Sequence, residues 1–262
     1  MKVGILVAAV AALGMAQAQA APVVVDFDTQ NLGAATTAGN ITGNEFTDFG
    51  LAISAIPANN ASTLALFESN CGPDFPSVSC SGNDGDLASG PSFGTSPQGR
   101  VLIINGGTDA SPDDDPAGGM FVFDFLRPVT VNAVTILDLD EGAASSLVDF
   151  DVTFHNAVMQ SVSPSSISLF SSATGDNSLR SFNFTGLDNV TQLKVSLNNI
   201  SGAIASVEVE PIPVPAALPM LASLIGGAAL YLLSDLSTGV TGEIHYVDAG
   251  YNTVSMPRLE NL

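Results

Sequence analysis

From Pro22 to Glu210 the chain runs as short apolar or alternating stretches separated by Gly, Asn, Asp, Ser and Pro. Apolar residues at every second position mark strands with one buried face. Strands are therefore expected at 23–28, 50–54, 64–67, 101–104, 120–125, 129–137, 148–154, 181–184, 193–197 and 203–209. No part of this region carries a 3.6-residue period. Short strands at turn-rich spacing predict an all-β fold, a β-sandwich of the jelly-roll kind. An immunoglobulin-like sandwich is the second choice, and the lack of any Trp counts against it. Residues 34–43 and 70–99 are expected as loops, the second of them the longest.

The two ends break this pattern. Lys2 precedes an apolar run from Gly4 to Met15, and 16–20 closes in a small-x-small pattern. That is the form of a secretory signal peptide, with cleavage expected after Ala18 or Ala20. Near the other end, 216–233 holds eighteen residues without a charge, introduced by Pro213 and Pro215. That length reaches the lower limit for a helix crossing a bilayer. A C-terminal transmembrane-like helix, and the membrane as a partner through it, are expected. The chain then divides into a signal peptide (1–20), a β-sandwich domain (21–210), a Pro motif with an apolar helix (211–233) and a loosely ordered tail (234–262).

Val214, Pro215 and Ala216, continued by Ala217-Leu218-Pro219 and the Gly226-Gly227 pair, resemble the PEP-CTERM family of bacterial sorting signals in its VPLPA variant. The resemblance implies a tail cut by a membrane protease of the exosortase type. It also implies export, with the protein anchored in the inner membrane, displayed at the cell surface or released. The family's Arg-rich end is missing, and Ser234-Asp235 follow Leu233 instead. The first strand, the block 98–104, the acidic loop 112–119 and the strand end at 137–141 resemble exported proteins of this type more loosely.

Residues 228–252 resemble the C-terminal end of bacterial enoyl-acyl-carrier-protein reductase (NADH), where this stretch supplies the last helix and strand of a Rossmann-type sheet. The chain thus reads as a chimera. That family's active site needs a Tyr placed shortly before a Lys. Here the lysines are Lys2 and Lys194, and Tyr231, Tyr246 and Tyr251 follow both. No Gly-rich dinucleotide loop follows the first strand. NAD is therefore not expected, and reductase activity stands as an alternative carried by the tail alone.

A net charge of −20, with only six Lys and Arg, excludes the electrostatic footprint of a nucleic-acid binder. Export implies an oxidising compartment, so Cys71 and Cys80 are expected to pair. Asp113, Asp114 and Asp115 lie in one Pro- and Gly-bounded loop. Asp138, Asp140 and Glu141 lie at a strand end, and Asp84 and Asp86 in the long loop. Hard oxygens from several loops suit Ca²⁺, and Asp-x-Asp on a strand points both carboxylates one way. The other reading is a solvated acidic rim. No catalytic residues are expected: His155 ends a strand, no Gly-x-Ser-x-Gly elbow occurs, and scarce aromatics argue against a glycosidase cleft. The expected function is that of an exported cell-surface or matrix protein without catalytic activity, with Ca²⁺-assisted binding of extracellular polysaccharide as its candidate role.

Overall fold

In the computed structural model, residues 21–58, 62–82, 85–139, 148–169 and 176–212 are described. The chain divides into two units, Ala20–Ile212, and Met1–Gln19 with Pro213–Leu262. The second unit lies outside the described residues, as do the signal peptide, the sorting motif Val214-Pro215-Ala216 and the reductase-like tail. The first is all-β, and its described residues form eleven strands in one antiparallel sheet. They are β1 (Val23–Val25), β2 (Gly39–Asn40), β3 (Leu51–Pro57), β4 (Thr63–Glu68), β5 (Arg100–Asn105), β6 (Gly118–Leu137), β7 (Val148–Phe154), β8 (Met159–Val162), β9 (Ser166–Leu169), β10 (Leu179–Asn198) and β11 (Ala203–Pro211).

One expectation is corrected. No helix among the described residues is long and apolar enough to cross a membrane. The structure therefore gives no support to a C-terminal apolar helix, or to the membrane as a partner reached through it.

Two strands of 20 residues organise the sheet. The first half of β6 pairs with β3 on one side and with the second half of β10 on the other. The second half of β10 continues to β7, and β7 to β8. The second half of β6 pairs with β11 and with the first half of β10, which continues to β9. The outer side of β11 takes β1 and, at Ile204, β5; beyond β5 lie β4 and β2. The sheet is thus two layers sharing β6 and β10. Register shifts between Asn183 and Gln192 of β10 accompany the passage between layers. A bulge bends a strand and raises its twist, so one strand can serve both layers.

Alternation then fills the space between them. Phe121, Phe123, Leu193, Val195 and Phe150 from the first layer and Val134, Ile136, Phe182, Ile204 and Val207 from the second belong to one buried cluster. Strands β4 and β5 are apolar on both faces. Leu64, Leu66, Leu102 and Ile104 face that cluster, whereas Ala65, Phe67, Val101 and Ile103 face a second one. The second cluster covers the outside of the second layer and includes Leu137, Leu179, Ala203 and Ala205. Its cover is the long β4–β5 connection, through Cys71, Leu87 and Ala88. Burial on both faces explains why β4 and β5 read as unbroken apolar runs.

The connection from β2 to β3 closes over the end of β3. The Thr42 N–H and hydroxyl donate to Glu45 Oε1 at 2.9 and 2.8 Å. Burial pushes the Glu45 carboxyl up, but these and neighbouring backbone donors pull it further down, below the ordinary glutamate range. The linkage has one sign. A depressed carboxylate stabilises the fold above the unfolded-state pKa of about 4.3. That contribution is lost as pH falls through the lower folded value. Glu45→Gln should therefore cost about 1 kcal/mol at pH 7 and less as pH drops below about 4. Urea melts of both proteins from pH 7 to pH 3 check this; a difference that is constant with pH would refute it.

Candidate functional site

The acidic residues singled out in the sequence divide into two kinds. Asp115 is buried and committed to its own turn. Its Oδ2 accepts from Ser62 Oγ, its Oδ1 accepts from the Ala117 N–H at 2.9 Å, and its carbonyl accepts from the Gly118 N–H at 2.8 Å. Asp113 is exposed, and its N–H donates to Asn105 Oδ1 at 3.0 Å. Asp114 is buried, and its Oδ2 accepts from the Gly202 N–H at 2.7 Å.

Asp138 is 1% exposed and meets the same place from another loop. It has φ 56°, so the strand ends at Leu137 and alternation does not carry past it. The expected parallel aim of Asp138 and Asp140 therefore has no basis at Asp138, and Asp140 and Glu141 lie outside the described residues. A Cβ on Gly202, at φ +147°, would sit 2.8 Å from the Asp138 carbonyl oxygen. A side chain there would push the β10–β11 turn off Asp138 and Asp114 together. Gly202 thus holds Asp114 through its N–H while packing closely on the Asp138 backbone.

Sequence reasoning missed Asn177. Its N–H donates to Asp138 Oδ1 at 2.9 Å and lies 3.0 Å from the Asp86 carbonyl. Its Nδ2 lies 3.0, 2.6 and 2.8 Å from the carbonyls of Gly85, Asp86 and Ala88. Asn177 has φ 59°, a left-handed conformation that Asn tolerates better than most residues. One asparagine therefore ties the long β4–β5 connection to the start of β10 and to Asp138. Loops 85–88, 113–115, 138, 177 and 202 converge at one end of the second layer, with buried carboxylates and main-chain carbonyls. Among the described residues no group of three or more His, Cys, Asp or Glu is placed to hold a metal ion.

The pairing of Cys71 with Cys80 is found, with Cα atoms 5.0 Å apart. The root of the same connection is a polar lattice. Ser69 N–H and Oγ both donate to the Gly99 carbonyl at 2.8 Å, and the Gly99 N–H donates to Asn70 Oδ1 at 2.9 Å. The Ser89 N–H donates to the Ser69 carbonyl at 2.7 Å. Arg100 follows directly, 3.6 Å from Asp28 and 3.3 Å from Glu68.

Open grooves lie on the surface of the described residues. A groove of about 300 Å³ lies beside Ile56, Met120, Ser196 and Asn198, and one of about 340 Å³ beside His155, Asp188 and Asn189. His155 is exposed, and its N–H donates to the Asn189 carbonyl at 2.7 Å. Phe49 is the one exposed aromatic ring among the described residues.

No family model matches the chain. A 38-residue segment is 76% identical to enoyl-acyl-carrier-protein reductase (NADH) 2 of Rhizobium meliloti (strain 1021), covering 14% of this chain and 14% of that protein. A 36-residue segment is 64% identical to reductase 1 of the same organism, covering 14% and 13%. The Rickettsia prowazekii reductase matches at 66% over 35 residues, covering 13% of each. The chain thus spans about one seventh of the length of the curated relatives it matches. Among solved structures, the C-terminal domain of a chitobiase from Bacteroides fragilis covers 62% of this chain and 95% of that domain. It is 12% identical with a TM-score of 0.25, too distant to carry an argument.

Proposed function

We propose that this chain is an exported cell-surface or extracellular-matrix protein built on a jelly-roll-like β-sandwich, without catalytic activity. The observation that carries the proposal is the Cys71–Cys80 disulfide, which staples the connection covering the second core. Such bonds persist in oxidising compartments. The signal-peptide pattern at 1–20 agrees with this. His155, the domain's histidine, stands exposed at a strand end, which fits this reading.

We further propose that Asp114 and Asp138, together with main-chain carbonyl oxygens of the same loop end, take Ca²⁺ and that this end, with the ion bound, binds extracellular polysaccharide. Convergence of buried carboxylates with loop carbonyls supports the ion, because Ca²⁺ gathers six to eight oxygens. With Phe49 the one exposed ring among the described residues, sugar contacts there would rest on loop oxygens and amides rather than on aromatic stacking. Millimolar Ca²⁺ should raise the melting temperature of the purified chain, the linkage adding about 2.7 kcal/mol to the unfolding free energy at a hundred times Kd. Asp114→Asn with Asp138→Asn should remove that rise, and calcium-dependent retardation in polysaccharide gels should vanish with it. No calorimetric heat and no shift in melting would leave a solvated acidic rim.

The 76% identity over 38 residues favours one other reading, an enoyl reductase. The matched stretch is a seventh of that enzyme, and the Tyr–Lys arrangement that the family needs is missing. NADH-dependent reduction of an enoyl thioester by the purified chain would establish it in place of the first.

A further inference from the structure

We propose that this chain forms a homodimer through β9. The strand pairs antiparallel with β9 of a second copy across a two-fold axis, so that the second layer runs on from one copy into the other. Among the described residues β8 pairs with β7 alone and β9 with β10 alone, so both are edge strands. Residues 163–165 join them, which places the two edges on one side of the sandwich. An edge strand carries a row of N–H and C=O groups without ladder partners, and folded proteins blunt such rows with charge, proline or cover.

The other edge strands are blunted in these ways. On β2 the Asn40 N–H donates to Asp109 Oδ1 at 2.7 Å. On β3 the Ile53 N–H donates to the Gly43 carbonyl at 2.8 Å, and the strand ends at Pro57. Strand β1 is 3 residues long and runs into Asp26. Strands β8 and β9 have no such protection. From Asn156 to Leu169 there is no Asp, Glu, Lys or Arg, in a chain of net charge −20. Pro164 falls between the two strands and in neither. The same stretch exposes the large apolar side chains of Val158, Met159, Ile167 and Leu169.

Charge selects a second copy as the occupant. Two chains of net charge −20 repel each other, and a stretch free of charge is where they approach with least repulsion. Symmetry then sets the register. Ile167 stands opposite Phe182 and Leu169 opposite Arg180 on β10, so Ile167 and Leu169 share the face that Phe182 turns to the core. A two-fold axis through Ser168, perpendicular to the layer, sets Ile167 against the partner's Leu169 and Leu169 against the partner's Ile167. Apolar cross-strand pairs of this kind stabilise a ladder. The template is held in place from behind. The Ser165 N–H donates to the Asn183 carbonyl at 2.7 Å, and Asn183 Nδ2 donates to Ser168 Oγ at 3.3 Å.

Sedimentation velocity of the full chain over a range of concentrations tests this. The wild type should move as monomer and dimer in a ratio that depends on concentration. The dimer fraction should rise with salt, which screens the repulsion between the copies. Leu169→Lys sets a charge against the partner's Ile167 and should remove the dimer. Ile56→Lys, at an exposed apolar position on β3, should leave it intact. Ser168→Cys should form an intermolecular disulfide under mild oxidation, because opposed Cα atoms stand about 4.5–5.5 Å apart, within disulfide range. Ser166→Cys would stand about 14 Å from its counterpart and should not cross-link. If Leu169→Lys does not fold, the two cysteine variants still decide. Three results would overturn the proposal: a dimer that survives Leu169→Lys and so forms elsewhere, equal cross-linking of the two cysteine variants, or a monomer at every concentration. The last would leave the edge to a foreign strand.

Discussion

Phe150→Ala should lower the unfolding free energy by about 3–5 kcal/mol, the range for truncating a fully buried ring. Phe150 lies on β7 in the first layer and is 2% exposed. Its ring centroid stands 5.1 Å from that of Phe182 and 5.0 Å from that of Phe184, the latter edge to face. Both partners come from the first half of β10, in the second layer. The three rings therefore bridge the layers, and their offset and edge geometries add to plain burial. Removing Phe150 opens a cavity walled by both sheets, which two hydrogen-bonded layers cannot collapse to fill. Phe150→Leu should cost less than half as much, and Phe49→Ala, at an exposed ring, close to nothing. Urea midpoints with an unchanged m-value check all three. A loss under 1 kcal/mol for Phe150→Ala would mean that the layers do not meet there.

The strands most legible in the sequence are those with a single buried face or with both faces buried. Val148–Phe154 is found with the bounds its alternation predicts. The runs at 64–67 and 101–104 are found as β4 and β5, each a residue or two longer. Two features were illegible for different reasons. Leu126-Arg127-Pro128 and 185–189 interrupt alternation, so β6 and β10 each read as two strands. Those interruptions are where strands bend between layers, and a bend looks like a turn in sequence. Strands β8 and β9 went unread because they lie at sheet edges. Their residues are mostly exposed, Met159, Ile167 and Leu169 among them. An edge strand has one paired side and little burial, so period two has nothing to mark.

The candidate site was legible in its covalent part and only partly in its polar one. Two cysteines in a chain that looks exported have one partner each, and the pairing follows. Asp113, Asp114 and Asp115 stood out as a run, yet nothing local distinguishes Asp115, locked in its turn, from Asp114, which reaches Gly202 88 residues away. Asn177 gave no signal at all. Its role depends on a left-handed backbone and on carbonyls 89–92 residues earlier in the chain. Carbonyls carry no side-chain signature, so sites built from them are invisible until the loops are placed.

Gly43→Ala should be as damaging as loss of a core ring, at about 3 kcal/mol or more, whereas Gly186→Ala should cost about 1–2 kcal/mol. The two glycines have similar backbones, with φ +85° and +75°, so both replacements carry the left-handed penalty. What surrounds them differs. A Cβ on Gly186 meets nothing within 4 Å, because it projects from the bend of β10 into solvent. A Cβ on Gly43 would fall 1.7 Å from the Ile53 carbonyl oxygen and 2.7 Å from its carbon. Those are backbone atoms of β3, paired through Ile53 with Phe123 of β6. They cannot rotate aside as a side chain would. To admit the methyl, the chain at 42–44 must lift off β3 and break the 2.8 Å bond from the Ile53 N–H to the Gly43 carbonyl. The Thr42–Glu45 bonds lie in the same segment and would loosen with it. Gly43→Ala should therefore also erase the pH dependence assigned to Glu45, and Gly186→Ala should leave it intact. Equal losses for the two variants, or an unaltered acid limb in Gly43→Ala, would show that this connection yields more easily than its contacts imply.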